Sequence, residues 1–443
     1  MGVEESGGGI LGPDVSRRKF LQKGAATGLV LSASGPLLAA CGGVKESSSS
    51  SSDTLKIGFV SPRTGPAAGF GEPDPFIIKL AQGAFKDGLK VGDKTFKIEV
   101  IEKDGPNPQR SGEVANELIN SNQVDLMLVT STPETVNPVA DACEAAGVPC
   151  MSTVVPWEAF YFGRGAKPGK PSPFKWTYHF SFGVDDFAEA YLPTWDSVPT
   201  NKKCGVLWPN DADGNAIREG LGPLLEKGGY KIIDPGAFPD GLNDFSAQIN
   251  KFKAEKCEVF NTFALPPDFS TFWKQAAQQG YQPKLPQIAK HGLFPSQVEA
   301  LGPLGINLTT TAFWHPTFPY KSSLTGLSST QLKDKYESAT GKQWNQVVGS
   351  SMALWDVGIQ ALKDSGDPKD RQKVATAMSK LKVETPVGML EWGKGPVPNV
   401  VVDKFVNCNW IKDPTGKHPL DLIVVNNAQL PDVPVAAKIK TFP

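Results

Sequence analysis

The chain is short of the residues that catalytic and metal-binding sites usually announce in sequence. It holds only six cysteines and four histidines, and no two cysteines stand at the Cys-x-x-Cys spacing of zinc or redox sites. His179, His291, His315 and His418 are scattered, so none forms the close pair of a helical metal motif. A Walker-type phosphate loop and a Gly-x-Ser-x-Gly nucleophile elbow are both missing, which removes two common hydrolase signatures. Charge of one sign is missing too: 45 basic against 46 acidic residues leave a net charge of -1 and no electrostatic case for nucleic acid. No run approaches the ~20 strongly apolar residues of a membrane-spanning helix. No enzyme activity, cofactor, catalytic residue or metal ligand is expected.

What is present points to an exported, folded body. At 443 residues the chain is too long for one core, and 40% hydrophobic with 21% charged residues suits a globular protein of two domains. Ser16-Arg17-Arg18-Lys19-Phe20-Leu21 matches the twin-arginine export pattern, with Arg17 and Arg18 as its signal. The mildly apolar, Gly- and Ala-rich segment 24–40 follows as its h-region. Leu38-Ala39-Ala40-Cys41 resembles the lipobox of bacterial lipoproteins, which implies lipidation of Cys41. The Ser-rich run 47–52 has no apolar period and reads as a polar tether. Residues 1–41 are thus expected to be a signal peptide and 42–53 a tether. The body is expected outside the cytoplasm, lipid-anchored to the bacterial membrane, in the periplasm or at the cell surface.

Within the body, the β-rich run 55–60, a loop dense in Gly, Pro and small hydroxyls, and helical periodicity from Glu72 read as the first unit of a parallel α/β sheet. Strands are expected again at 95–102, 124–129 and 148–151, then, after a crossing near 174–180, at 204–208, 230–233, 258–263 and 306–314. Helices are expected at 329–339 and 346–364. Open parallel sheets bind ligands beyond the carboxyl ends of their strands, so the loops there nominate the site. They offer Phe70, then Thr130, Ser131 and Thr132 at a helix start that favours an anion or merely caps itself. Thr153 and Trp157 follow in an aromatic loop whose residues 160–162 either serve a ligand or form a small core. Trp208 and Asp213 stand at the next strand end, where Asp213 either holds an amino or amide group or caps its helix. Phe263 and His291 complete the set, and the His291 imidazole is either a ligand contact or structural. Cys204 and Cys257 sit at the amino ends of strands that neighbour one another in a doubly wound order. A Cys204 to Cys257 disulfide is expected in an oxidising compartment, with Cys143 and Cys150 a second candidate pair.

The run Thr64-Gly65-Pro66-Ala67-Ala68-Gly69-Phe70-Gly71 resembles the first binding loop of type I solute-binding proteins of ABC importers, the branched-chain amino acid and amide group. The resemblance covers most of residues 54–412. It implies two doubly wound α/β lobes with parallel sheets joined by a multi-strand hinge: lobe 1 over 54–178 and 316–385, lobe 2 over 179–315 and 386–443. Segment 383–392 resembles the third hinge strand, and the proline-rich tail beyond it has no clear period. The resemblance implies a monomer that captures a small molecule and delivers it to ABC permease subunits. In that family the loop at 130–132 supplies hydroxyls and amides to a ligand carboxylate; here Pro133, which has no N–H, stands among them. Family members commonly carry a tyrosine where this chain has Asp213, and an acidic residue where it has Lys290 and His291. These departures disfavour a simple aliphatic amino acid. They favour a carboxylate-bearing ligand with an aromatic or bulky apolar portion, enclosed by Phe70, Trp157, Trp208 and Phe263 and altering tryptophan fluorescence on binding. A ligand sensor reporting to a membrane receptor would share this fold and cleft. An exported cofactor enzyme is the remaining alternative, and the missing motifs count against it.

Overall fold

The computed structural model describes residues 54–443; Arg17, Arg18, Cys41 and the serine tether lie outside the described residues. The chain first lays down β1 (Thr54–Ser61), β2 (Leu89–Val91), β3 (Lys94–Asp104), β4 (Leu126–Thr130), β5 (Cys150–Thr153) and β6 (Thr177–Phe180). It then crosses over and adds β7 (Lys203–Leu207), β8 (Lys231–Ile233), β9 (Val259–Thr262), β10 (Leu285–Ile288) and β11 (Thr309–Ala312). Helices Ser329–Thr340, Val347–Asp364 and Arg371–Met378 lead to β12 (Lys382–Thr385), β13 (Gly388–Glu391) and β14 (Val400–Val401). The last strands are β15 (Val406–Lys412) and β16 (Leu420–Asn426).

Two seven-stranded sheets result, in the orders β14-β6-β5-β4-β1-β3-β2 and β16-β15-β11-β10-β9-β7-β8. Pairing in the first is parallel except between β2 and β3. In the second, β15 runs antiparallel to β11 and β16 antiparallel to β15. These are the two α/β lobes with mostly parallel sheets anticipated from the sequence. The central strands are short and buried at every position, Leu-Met-Leu-Val-Thr in β4 and Val-Phe-Asn-Thr in β9, as strands covered by helices on both faces must be. Helix Val347–Asp364 is buried along almost its whole length because it lies against β4 and β5.

Three crossings join the lobes: 181–183 after β6, 313–328 after β11, and 402–405 between β14 and β15. The last lies beyond the expected 385/386 boundary, because β13 folds back on β12 through Gly388 (φ 125°) and β14 adds to the open edge of β6. The expected hinge strand at 383–392 is therefore a hairpin of its own. Likewise the expected 178/179 boundary falls inside β6, and the crossing follows it.

The expected disulfides do not form. Cys143, Cys150, Cys204, Cys257 and Cys408 are all free and buried. In the parallel ladder Cys204 stands opposite Val259, which leaves Cys257 out of register, ahead of the start of β9. Cys143 lies beside Cys150, and burial pushes its thiol well above the ordinary range.

Candidate ligand-binding site

Loops that follow cleft-side strand ends in both lobes meet around one small cavity of about 40 Å³. Phe70 comes from the short helix after β1, Ser131 and Thr132 from the end of β4, and Val154 and Pro156 from the end of β5. The second lobe contributes Asp213, Phe263, Lys290 and Leu293 from beyond β7, β9 and β10.

The floor is made of phenylalanine. Phe182, Phe313 and Phe405 each stand on a different crossing, and all three line the cavity. Phe182 lies 5.5 Å from Phe313 in a stacked arrangement and 4.5 Å from Phe405. Phe187 packs on Phe405 at 4.8 Å and meets Phe263 edge-on at 5.0 Å. Such offset and edge-to-face contacts suit the ring quadrupole and leave an apolar surface facing the cavity.

The first lobe supplies the polar group on its side through strained backbone. Ser131 (φ 132°) and Val154 (φ 78°) both hold positive φ at the ends of neighbouring strands, a costly conformation for residues with a Cβ. Thr132 is the N-cap of helix Pro133–Ala146, yet its side chain makes no capping hydrogen bond. Ser131 Oγ is buried with no partner at all. The hydroxyls therefore remain available at the positive end of a helix dipole.

The second lobe places a charged trio opposite. Asp211 caps helix Ala212–Lys227, its Oδ1 accepting from the Gly214 N–H at 2.6 Å. That leaves Asp213 free of the capping role. Lys290 Nζ lies 2.9 Å from Asp213 Oδ2 and 3.1 Å from Asp211 Oδ2, with all three side chains at most 7% exposed. Burial pushes the Asp213 carboxyl up to about 7 against the pull of Lys290, with Asp211 and Glu134 adding to the rise. Burial alone would lower the Lys290 ammonium, but Asp211, Asp213 and Glu134 together hold it above its ordinary value. Asp213 Oδ1 is buried and unpaired.

Of the residues nominated from sequence, Phe70, Ser131, Thr132, Asp213 and Phe263 come together on the cavity wall. Thr130 and Thr153 are register partners at the ends of β4 and β5, buried outside the lining. Trp157 turns away to pack on Phe162 at 5.5 Å. The Trp208 indole donates to Asn261 Oδ1 at 2.8 Å and belongs to the core of its lobe. His291 is buried against Phe269, its Nδ1 3.2 Å from the Pro266 carbonyl, and burial lowers its imidazole to about 4, so it is neutral. The aromatic run 160–162 forms a satellite core, with Phe160 stacked on His179 at 4.3 Å beneath Arg164. No tryptophan lines the cavity, which removes the physical basis for a direct fluorescence signal. The residues missed were mainly Phe182, Phe187, Phe313 and Phe405, which stand in or beside the crossings, and Lys290, whose charge drew less weight than the neighbouring histidine.

Among the described residues no group of three or more His, Cys, Asp or Glu side chains is placed to hold a metal ion. No described helix is long and apolar enough to cross a membrane. Two α/β lobes closing strand ends over an apolar cavity with a few polar groups define a two-lobed ligand-binding protein. The chain belongs to the periplasmic binding protein family, whose family model matches residues 54–396. It is 23% identical over 343 residues to Leu/Ile/Val-binding protein homolog 3 of Brucella melitensis, covering 77% of this chain and 87% of that protein. An ABC transporter solute-binding protein from Rhodopseudomonas palustris, solved in complex with 3,4-dihydroxybenzoic acid, matches with a TM-score of 0.66 at 21% identity, over 84% of this chain and 97% of that one. A leucine-binding protein from Thermotoga maritima matches with a TM-score of 0.68 at 17% identity, over 84% and 99%.

Replacing Lys290 by methionine leaves Asp211 and Asp213 buried without their cation, and a loss of about 3–5 kcal/mol in unfolding free energy is expected at pH 8. Without the lysine the folded-state pKa of the Asp213 carboxyl, already raised by burial, rises further above its unfolded value. The penalty is then absent below the unfolded pKa of about 4, grows as pH rises from there toward the folded pKa, and is complete above it. Denaturant unfolding of Lys290→Met and parent at pH 4.5 and pH 8 checks this, and an equal loss at both would contradict it.

Proposed function

We propose that this protein is the extracytoplasmic, lipid-anchored substrate-binding subunit of an ABC importer. In this reading it captures a small carboxylate-bearing organic solute, with an aromatic or bulky apolar body, and presents it to permease subunits. The observation that carries the reading is the interlobe cavity, lined by Phe70, Phe182, Phe187, Phe263, Phe313 and Phe405 and carrying the unpaired Ser131 hydroxyl at a helix start. The carboxylate sits at Ser131 and Thr132, where the helix dipole and free hydroxyls favour an anion. The rings enclose the apolar body. The names of the relatives, one for leucine, isoleucine and valine and one with a bound dihydroxybenzoic acid, fit a carboxylate as the common element.

Closure is the proposed mechanism. A ligand touching both lobes stabilises the closed form through contacts that the open form lacks, and a permease distinguishes the two. No bond is made or broken. Isothermal titration calorimetry with benzoate, phenylacetate, leucine, isoleucine and valine tests the ligand class. Binding of the aromatic acids is expected, and tight binding of the aliphatic set alone would contradict this account of the cavity.

The anchor is proposed from Arg17, Arg18 and the run ending at Cys41. Cell fractionation of Cys41→Ala is expected to move the protein from the membrane to the soluble extracytoplasmic fraction. Retention at the membrane equal to the parent would sink the anchor.

A further inference from the structure

The first-lobe wall of the cavity contains a residue held where its side chain disfavours it. Val154 (φ 78°) directly follows β5 and lines the cavity together with Pro156. A β-branched residue in the left-handed region is a genuine outlier and persists only where its surroundings over-determine it.

One buried imidazole supplies the constraint. His179 stands opposite Ser152 in the β5–β6 ladder and is fully buried. Its Nε2 lies 2.8 Å from the Val155 carbonyl oxygen and its Nδ1 2.8 Å from Ser152 Oγ. A carbonyl only accepts, so Nε2 carries the proton and Nδ1 accepts from the Ser152 hydroxyl. Burial lowers the imidazole to about 3, which keeps it neutral in this tautomer. Phe160 stacks on the ring at 4.3 Å and fixes its plane. The loop is tied to the first crossing as well: the Trp157 N–H donates to the Phe182 carbonyl at 2.9 Å, and Glu158 Oε1 accepts from the Val184 N–H at 3.0 Å. Those two contacts fasten the loop after Pro156, and the imidazole fastens it before.

We infer that His179, which lies outside the cavity lining, is the positioning residue of the first-lobe wall: by donating to the Val155 carbonyl it holds Val154 and Pro156 at the geometry a bound solute meets. This rests on the interlobe cavity being the ligand site. An apolar side chain at 179 leaves a buried carbonyl without its donor and removes what opposes relaxation of Val154 toward negative φ. The wall then shifts, and the folded protein loses affinity.

Titration calorimetry with benzoate and 4-hydroxybenzoate, paired with hydrogen–deuterium exchange over residues 152–158, tests this on the wild type, His179→Leu and His179→Gln. The glutamine amide reaches the position of Nε2 and can donate to the same carbonyl, whereas leucine cannot. His179→Leu should bind the acids about tenfold or more weakly and exchange faster across the loop, while His179→Gln keeps the protection and stays within about threefold of the wild-type affinity. Unchanged affinity or unchanged exchange in His179→Leu overturns the inference, as does an equal loss of affinity in both variants. If neither acid binds the wild type, the proposed ligand class fails by itself, and the exchange comparison still decides whether His179 holds the loop. Should His179→Leu not fold, His179→Asn, whose shorter amide stops near the Nδ1 position, serves as the variant without the Nε2 donor.

Discussion

Three phenylalanines on three separate crossings, packed against one another, set the geometry of the cleft. Phe182 touches both Phe313 and Phe405, so the segments that join the lobes share one apolar floor. Gly183, next to Phe182, has no room for a side chain: a Cβ there would come 2.1 Å from the Trp157 indole nitrogen. Trp157 thus seals the crossing, its backbone N–H donating to the Phe182 carbonyl at 2.9 Å. Fully burying a ring of this size contributes about 1.5–3 kcal/mol. In the proposed cycle a ligand lying on this floor adds contacts to the same rings that any rotation of the lobes would disturb.

The polar walls differ in kind. On the first lobe the proposed anion site rests on backbone direction and unpaired hydroxyls, with no cationic side chain in the lining. On the second, Lys290 looks in sequence like a reversal of charge at a strand end where an acid is common. In the folded chain two aspartates absorb it, and the buried His291 carries no charge at neutral pH. The case for an aromatic body therefore rests on the ring cage rather than on a positive second lobe.

Much of the fold was legible because each α/β unit repeats a short apolar strand, a small-residue loop and an amphipathic helix. β10 escaped because Pro286 sits in its middle, where a proline argues against a central strand. β15 and β16 escaped because they lie in the proline-rich tail and extend the sheet's edge by long-range antiparallel pairing, β15 to β11 and β16 to β15. For the site, strand-end position led to Ser131, Thr132 and Asp213, since topology alone sends those loops to one edge. It did not separate a side chain facing the cavity from one facing the core, hence the misplacement of Trp208 and His291. Phe182, Phe313 and Phe405 lie far apart in sequence, without any period, and only the three crossings bring them together.

Closure around an interlobe ligand is the central claim, and small-angle X-ray scattering of the purified protein with and without saturating 4-hydroxybenzoate measures it most directly. The account predicts a smaller radius of gyration with ligand, since the contacts that hold the solute exist only when the lobes meet. An unchanged radius in a sample where calorimetry shows full occupancy would contradict it.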